Sequence, residues 1–282
     1  MKLNPIILKE SKIKMRTWKA PAIIFLYLAL LGSISLIVLS QTLYSVNFDR
    51  YSVQTFFFTT AISQYCMICF IVPALTSSSI SGERERQTLD LLLCTKLKPS
   101  SIIIGKLITS ISHVFMLVIA SMPIYSLLFL FGGFSFFTLL KILLSYIVVS
   151  ILIGSFGVFY STLLKKSITS TVVTYLTVLF IMLGTFFISL LYISLTYGYS
   201  GASRYNDIGF WLMYLNPGSG FVSMLINEIG QYSDLTEIGI QNNLTAYWLI
   251  NLAISMVVSF ILLLVSSRIL SPVKAHSKKR GA

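Results

Sequence analysis

Six long apolar stretches constrain this chain more than anything else in it. They cover residues 20–39, 56–75, 107–131, 142–164, 168–194 and 246–265. About 20 apolar residues, rising about 1.5 Å each as a helix, cross about 30 Å of hydrocarbon. Each stretch is therefore expected to be a membrane-spanning helix. The expected fold class is an all-α integral membrane protein with six transmembrane helices. Composition agrees: the chain is 56% hydrophobic and 11% charged, with mean hydropathy +0.85. A soluble domain is nearer a quarter charged, so most of this length must face lipid.

The net charge is +12. A basic balance suggests nucleic acid or an anionic membrane surface, and the distribution decides between them. With the N-terminus inside, the inner segments hold Lys2, Lys9, Lys12, Lys14, Arg16, Lys19, Arg84, Arg86, Lys96, Lys98 and Lys106. They also hold Lys165, Lys166, Arg268, Lys274, Lys278, Lys279 and Arg280. Of the 21 Lys and Arg, that leaves Arg50, Lys141 and Arg204 outside. The positive-inside rule thus places both termini in the cytoplasm. Nucleic acid is not expected as a partner, because no soluble domain is left to carry a groove. The first apolar run is too long for a signal peptide and is expected to stay as an anchor. The domain reading is an N-terminal interfacial helix over 1–19, a six-span domain over 20–267 and a basic tail over 268–282. The interfacial helix pairs Ile6, Ile7, Leu8, Ile13, Met15 and Trp18 with five basic residues, which suits anionic head groups.

The inner loop, 79–105, is the most informative segment. Glu83-Arg84-Glu85-Arg86 precedes Thr88, which can cap a helix, and Asp90 favours its first turn. Leu89, Leu92, Leu93 and Leu97 share one helical face, and Pro99 is expected to stop the helix. An amphipathic helix beside charges of both signs suits a protein partner's groove better than lipid.

At this point the sequence resembles a family. Gly82-Glu83-Arg84-Glu85, Thr88-Leu89-Asp90-Leu91-Leu92, Thr95 and Gly105-Lys106 look like the permease subunits of type-2 ATP-binding-cassette exporters. So do Asn4-Pro5, Lys9-Glu10 and Arg16 at the start, and Asn216-Pro217 before the last span. Gln87 stands where a glycine is common, and Lys96 where a proline is common. The resemblance implies that the amphipathic segment between spans 2 and 3 is a coupling helix docked on an ATPase subunit. Glu83, Arg84, Glu85 and Arg86 would then form ion pairs at the rim, Leu89, Leu92 and Leu93 would fill the groove, and Thr88 and Asp90 would belong to the same interface.

No P-loop is present. Gly105-Lys106-Leu107 lacks both the preceding glycine and the following hydroxyl that wrap phosphates. ATP and Mg are thus expected on two partner ATPase subunits, and no cofactor or metal is expected in this chain. A second copy of the chain or a sister permease is the expected membrane partner. The expected role is ATP-driven export of an amphipathic cargo such as a peptide, antibiotic or lipid. The expected setting is the cell membrane, in a bacterium its plasma membrane. A channel or sensor without an ATPase, or an intramembrane enzyme, are the alternatives.

Five further features carry expectations. His113 is the clear ionisable residue within a span. It is either part of a relay or a neutral ring bonded to a neighbouring helix, and the second reading is preferred. Cys66 and Cys69 have redox spacing but lie in an apolar run, where packing is the expected role. Gly154 and Gly157, with Ser150 and Ser155, form a small-residue patch for close helix approach. Pro123 is expected to kink span 3. At the outer surface, Phe210, Trp211, Met213, Tyr214 and Leu215 precede Asn216-Pro217-Gly218, and Phe221, Met224, Leu225 and Ile226 follow. They read as two short interfacial helices around a turn.

Overall fold

The computed structural model describes residues 19–44, 50–89, 94, 99–130, 135–189, 191, 213–230 and 244–270. The interfacial helix, most of 90–98 including Asp90, Leu92 and Leu93, Phe210 and Trp211, and the tail beyond 270 lie outside these residues.

The described helices are α1 Lys19–Tyr44, α2 Arg50–Thr76, α3 Ser81–Glu85, α4 Pro99–Ala120 and α5 Met122–Leu130. They continue with α6 Phe136–Leu163, α7 Ser167–Leu179, α8 Pro217–Gly230 and α9 Leu244–Leu270. α7 runs on through a π turn, Phe180–Gly184, into 185–189. No strand occurs among the described residues. Six helical stretches are long and apolar enough to cross a membrane, as the sequence requires. The second, Val53–Glu85, has 33 residues, well beyond the ~20 a crossing needs. Its charged last turn therefore emerges from the hydrocarbon.

α6 stands at the centre and packs against α2, α4, α7 and α9. Its small residues make this possible. A Cβ on Gly157 would lie 2.1 Å from Thr76 Oγ1, and one on Gly154 would lie 2.9 Å from Leu107 Cδ1. Ser150 and Ser155 donate to the carbonyls of Tyr146 and Ile151 in their own helix, so their hydroxyls stay satisfied in a buried interface. The core has a small cluster at one end and a larger one that runs along the bundle. Ile80, Leu89, Ile102, Leu107, Val158 and Leu270 form one. Phe57, Tyr65, Tyr146, Phe221 and Trp248 belong to the other. Phe25, Phe137 and Ile168 are among the large apolar side chains exposed on the outside, as lipid-facing positions are.

Several boundaries differ from expectation. Pro99 opens α4 and so begins a helix at the position where its missing N–H costs nothing. Span 3 therefore starts eight residues before the apolar run does. It breaks at Ser121, between α4 and α5, beside Pro123, where an i−4 bond cannot form. Gln64 Nε2 donates to Ser121 Oγ across that break, at 2.8 Å. Lys141 lies in the second turn of α6, because Ser135 caps that helix earlier than the hydropathy suggests. His113 does not reach a neighbouring helix: its Nδ1 donates to Thr109 O one turn back, at 2.8 Å. Its tautomer follows, since a carbonyl only accepts. Cys66, Cys69 and Cys94 are free thiols.

Candidate functional site

The site lies at one end of the bundle, where α2 ends, α4 and α7 begin and α6 ends. After Thr76 the chain does not leave the helix cleanly. Ser77 N–H donates to Pro73 O, Gly82 N–H to Ser78 O and Arg84 N–H to Ile80 O, which carries helical turns into α3. α3 then stops in a Schellman arrangement. Gln87 N–H donates to Arg84 O and Thr88 N–H to Glu83 O, while Gln87 adopts φ 57°. That left-handed conformation suits glycine, which accounts for the glycine expected at this position by resemblance. Thr88 turns its hydroxyl back onto Glu83 O, at 3.2 Å.

The charges of the loop find partners inside the chain. Glu83 Oε1 accepts from Lys106 Nζ at 2.7 Å, with the Lys106 side chain 5% exposed and that of Glu83 24%. Lys106 also donates to Ser79 O at 2.7 Å, so a cation almost out of water has both a counter-charge and a carbonyl. The Arg84 guanidinium donates to Leu164 O and Thr162 O, both at 3.2 Å. These are carbonyls at the end of α6, which lack helical partners. Glu85 sits at the start of α7. Its two oxygens accept from Ser167 N–H at 2.9 Å and Ser167 Oγ at 2.5 Å. The hydroxyl and then the amide of Ser167, helped by Lys166, hold the Glu85 carboxyl below the usual carboxylate range.

Serines complete the junction. Ser161 Oγ accepts from the N–H groups of Ile80 and Ser81, at 2.8 and 2.9 Å. Ser170 Oγ donates to Ser77 O at 2.7 Å. A polar cavity of about 380 Å³ lies beside them, with Ser79, Glu83, Glu85, Arg86, Lys106 and Ser167 in its wall.

Of the residues expected to face a partner, Glu83, Arg84 and Glu85 thus have bonds within the chain. Leu89 is 6% exposed and packs with Ile80, Ile102 and Leu107. Arg86, Gln87 and Thr88 are exposed. Asp90, Leu92 and Leu93 lie outside the described residues. Sequence reasoning missed Lys106, Ser161 and Ser167 as members of this junction. Gly105-Lys106 belongs to the resemblance, but no local pattern names the bonding partners of the three, which stand 23 to 82 positions away.

The second motif, Asn216-Pro217, organises the opposite end. Asn216 Nδ2 donates to Met182 O, in the π turn of span 5, at 2.9 Å, and its Oδ1 accepts from Gly218 N–H at 2.8 Å. Asn251 of α9 donates to Tyr214 O and Asn216 O. Gly220 fits closely under Asn251, where a Cβ would come within 2.3 Å of Asn251 Oδ1. Glu228, at the other end of α8, accepts from Thr138 and Lys141 of α6.

A helical bundle with six candidate spans and a bonded junction at one end defines a multi-pass membrane protein. The family model described as ABC-2 family transporter protein matches residues 27–267, and the chain belongs to that family. It is a transmembrane subunit of an ABC transporter. No curated protein matches the chain.

Proposed function

We propose that this chain is the permease of an ATP-driven exporter in a bacterial plasma membrane. Two permeases, identical or sister chains, form the path, and two separate ATPase subunits bind ATP and Mg. The basic end faces the cytoplasm, as the positive-inside rule requires. The observation that carries the reading is the junction itself. It bonds the inner loop to the bundle up to Thr88, leaves Arg86, Gln87 and Thr88 exposed, and precedes the leucine-rich segment in the chain.

This geometry supports docking by Leu92 and Leu93, with Arg86, Thr88 and Asp90 at the rim. Buried apolar anchors carry affinity and rim charges set orientation. Leu89 supports the segment from the chain's own core, and Glu83, Arg84 and Glu85 hold the base on which it stands. An amphipathic cargo suits spans rich in apolar and aromatic residues, which make up 56% and 13% of the chain.

The test is gentle purification of the chain from its native membrane, beside a Leu92→Glu variant. Co-purification of an ATPase subunit with the wild type, and its loss from the variant, is the expected result. A stable wild type that carries no ATPase sinks the proposal.

A further inference from the structure

Adjacent residues of the inner loop, Arg84 and Glu85, reach the two ends of a different inner turn. Arg84 bonds carbonyls at the C-terminus of α6, and Glu85 bonds the first N–H of α7. The signs match the poles: a cation stands at the partial negative charge of one helix end and an anion at the partial positive charge of the next. Both sets of bonds are charge-assisted. They do not stand alone. Ser161 of α6 holds the N–H groups of Ile80 and Ser81. On the α7 side, Ser170 and Thr171 bond the carbonyl and the hydroxyl of Ser77.

By covalent connection the loop belongs to spans 2 and 3. By these bonds it is also fastened to spans 4 and 5. Thr88 follows Glu85 by three residues, and its N–H is fixed to Glu83 O by the Schellman turn. A displacement applied after Thr88 is thus not absorbed by a slack linker.

We propose that Arg84 and Glu85 are positioning residues that join the inner loop and the turn between spans 4 and 5 into one body. Motion of the docking segment then reaches span 5 directly, and not only the two spans the loop connects. This inference rests on the proposed docking of an ATPase. It assigns the two charges to a clamp within the chain, where a rim role would place them against the partner.

The experiment uses the full chain with its ATPase. The native cysteines are replaced by serine and spin labels are placed at Phe25→Cys on α1 and Ile168→Cys on α7, both exposed positions. In the parent complex, ATP with vanadate is expected to shift the distance between the labels. In the Arg84→Gln/Glu85→Ala complex the ATPase should co-purify at the parent level, while that shift falls to less than half. An undiminished shift in the variant, or no shift in the parent complex, overturns the clamp. So does loss of the ATPase from a variant whose 4–5 turn remains protected, because the charges are then rim contacts.

A second measurement needs no ATPase and so separates failure of the clamp from failure of the exporter reading. Tryptic cleavage after Lys165 and Lys166 in the purified chain should rise severalfold in the variant, and in the milder Ser167→Ala. Unchanged cleavage in both overturns the inference.

Discussion

The two ends of this bundle do the same task with different chemistry. At the charged end, ionised groups tie helices together: Glu83 with Lys106, Arg84 on the end of α6, and Glu85 on the start of α7. At the far end neutral groups carry most of that load. Asn216 and Asn251 bond backbone carbonyls, and Ser219 meets Tyr247 at 2.6 Å. An ionised group is stabilised by water nearby or by a counter-charge, whereas an amide needs neither. The charged end therefore uses ions where the chain emerges from lipid. The far end holds α8 on the spans mostly with groups that remain neutral, the Glu228–Lys141 pair apart. The two ends should therefore respond to different perturbations.

The sharpest way to break the contrast is Glu83→Ala. It removes the Glu83 carboxylate from Lys106, a cation whose side chain is 5% exposed. The expected loss is roughly 2 to 3 kcal/mol, after allowance for the water that reaches Glu83, read as a lower thermal unfolding midpoint in detergent. An unaltered midpoint would show that water solvates this pair fully. Next comes Asn216→Ala, which frees Met182 O and Gly218 N–H together. About 2 kcal/mol should be lost, and the loss should not vary with salt, unlike that of Glu83→Ala; a salt-dependent loss would erase the contrast between the ends. Gln87→Gly should do the opposite and stabilise by about 0.5 to 1 kcal/mol, because it removes a side chain from a left-handed position. A decrease in stability would mean that the Gln87 side chain is needed. The smallest effect concerns pH. The folded-state pKa of Glu85 is depressed, so its cap on α7 is fully present above the ordinary carboxylate range and fades as pH falls through the depressed value. Hydrogen exchange at the Ser167 amide, corrected for its intrinsic pH dependence, should show protection at pH 7 and at mildly acid pH, lost only in stronger acid. Loss already at mildly acid pH would contradict the depressed value.

Spans were legible because lipid imposes one demand on every residue in them, and hydropathy records it. Six spans and their alternation follow from that alone. Helix ends were less legible where capping outranks hydropathy. Pro99 sits at the head of α4 because that position needs no N–H, and Ser135 begins α6 by accepting from Phe137 N–H. The inner loop was legible as a place and not as a wiring. Its charge run and leucine spacing are local patterns. The bonds of Glu83, Arg84 and Glu85 cross tens of positions, and periodicity carries no information about such partners. Leu89 shows the same limit. Its spacing would set it on one helical face with Leu92 and Leu93, yet it is buried against Ile102 and Leu107 in the chain's own core. The Gly154 and Gly157 patch was readable because its lesson is steric and local, though Thr76 as the facing group was not.

The π turn at Phe180–Gly184 gives span 5 a phase as well as a path. One residue more per turn sets everything beyond it about 100° out of step with the residues before it. The stripe that span 5 shows its neighbours near Ser170 is thus not continued along the same line near Ser189. A single-residue deletion within 180–184 would keep the helix, shorten it by about 1.5 Å, and swing its far half around. Met182 O would turn away from Asn216, and the far end would lose its hold while each side chain of the motif remained in place.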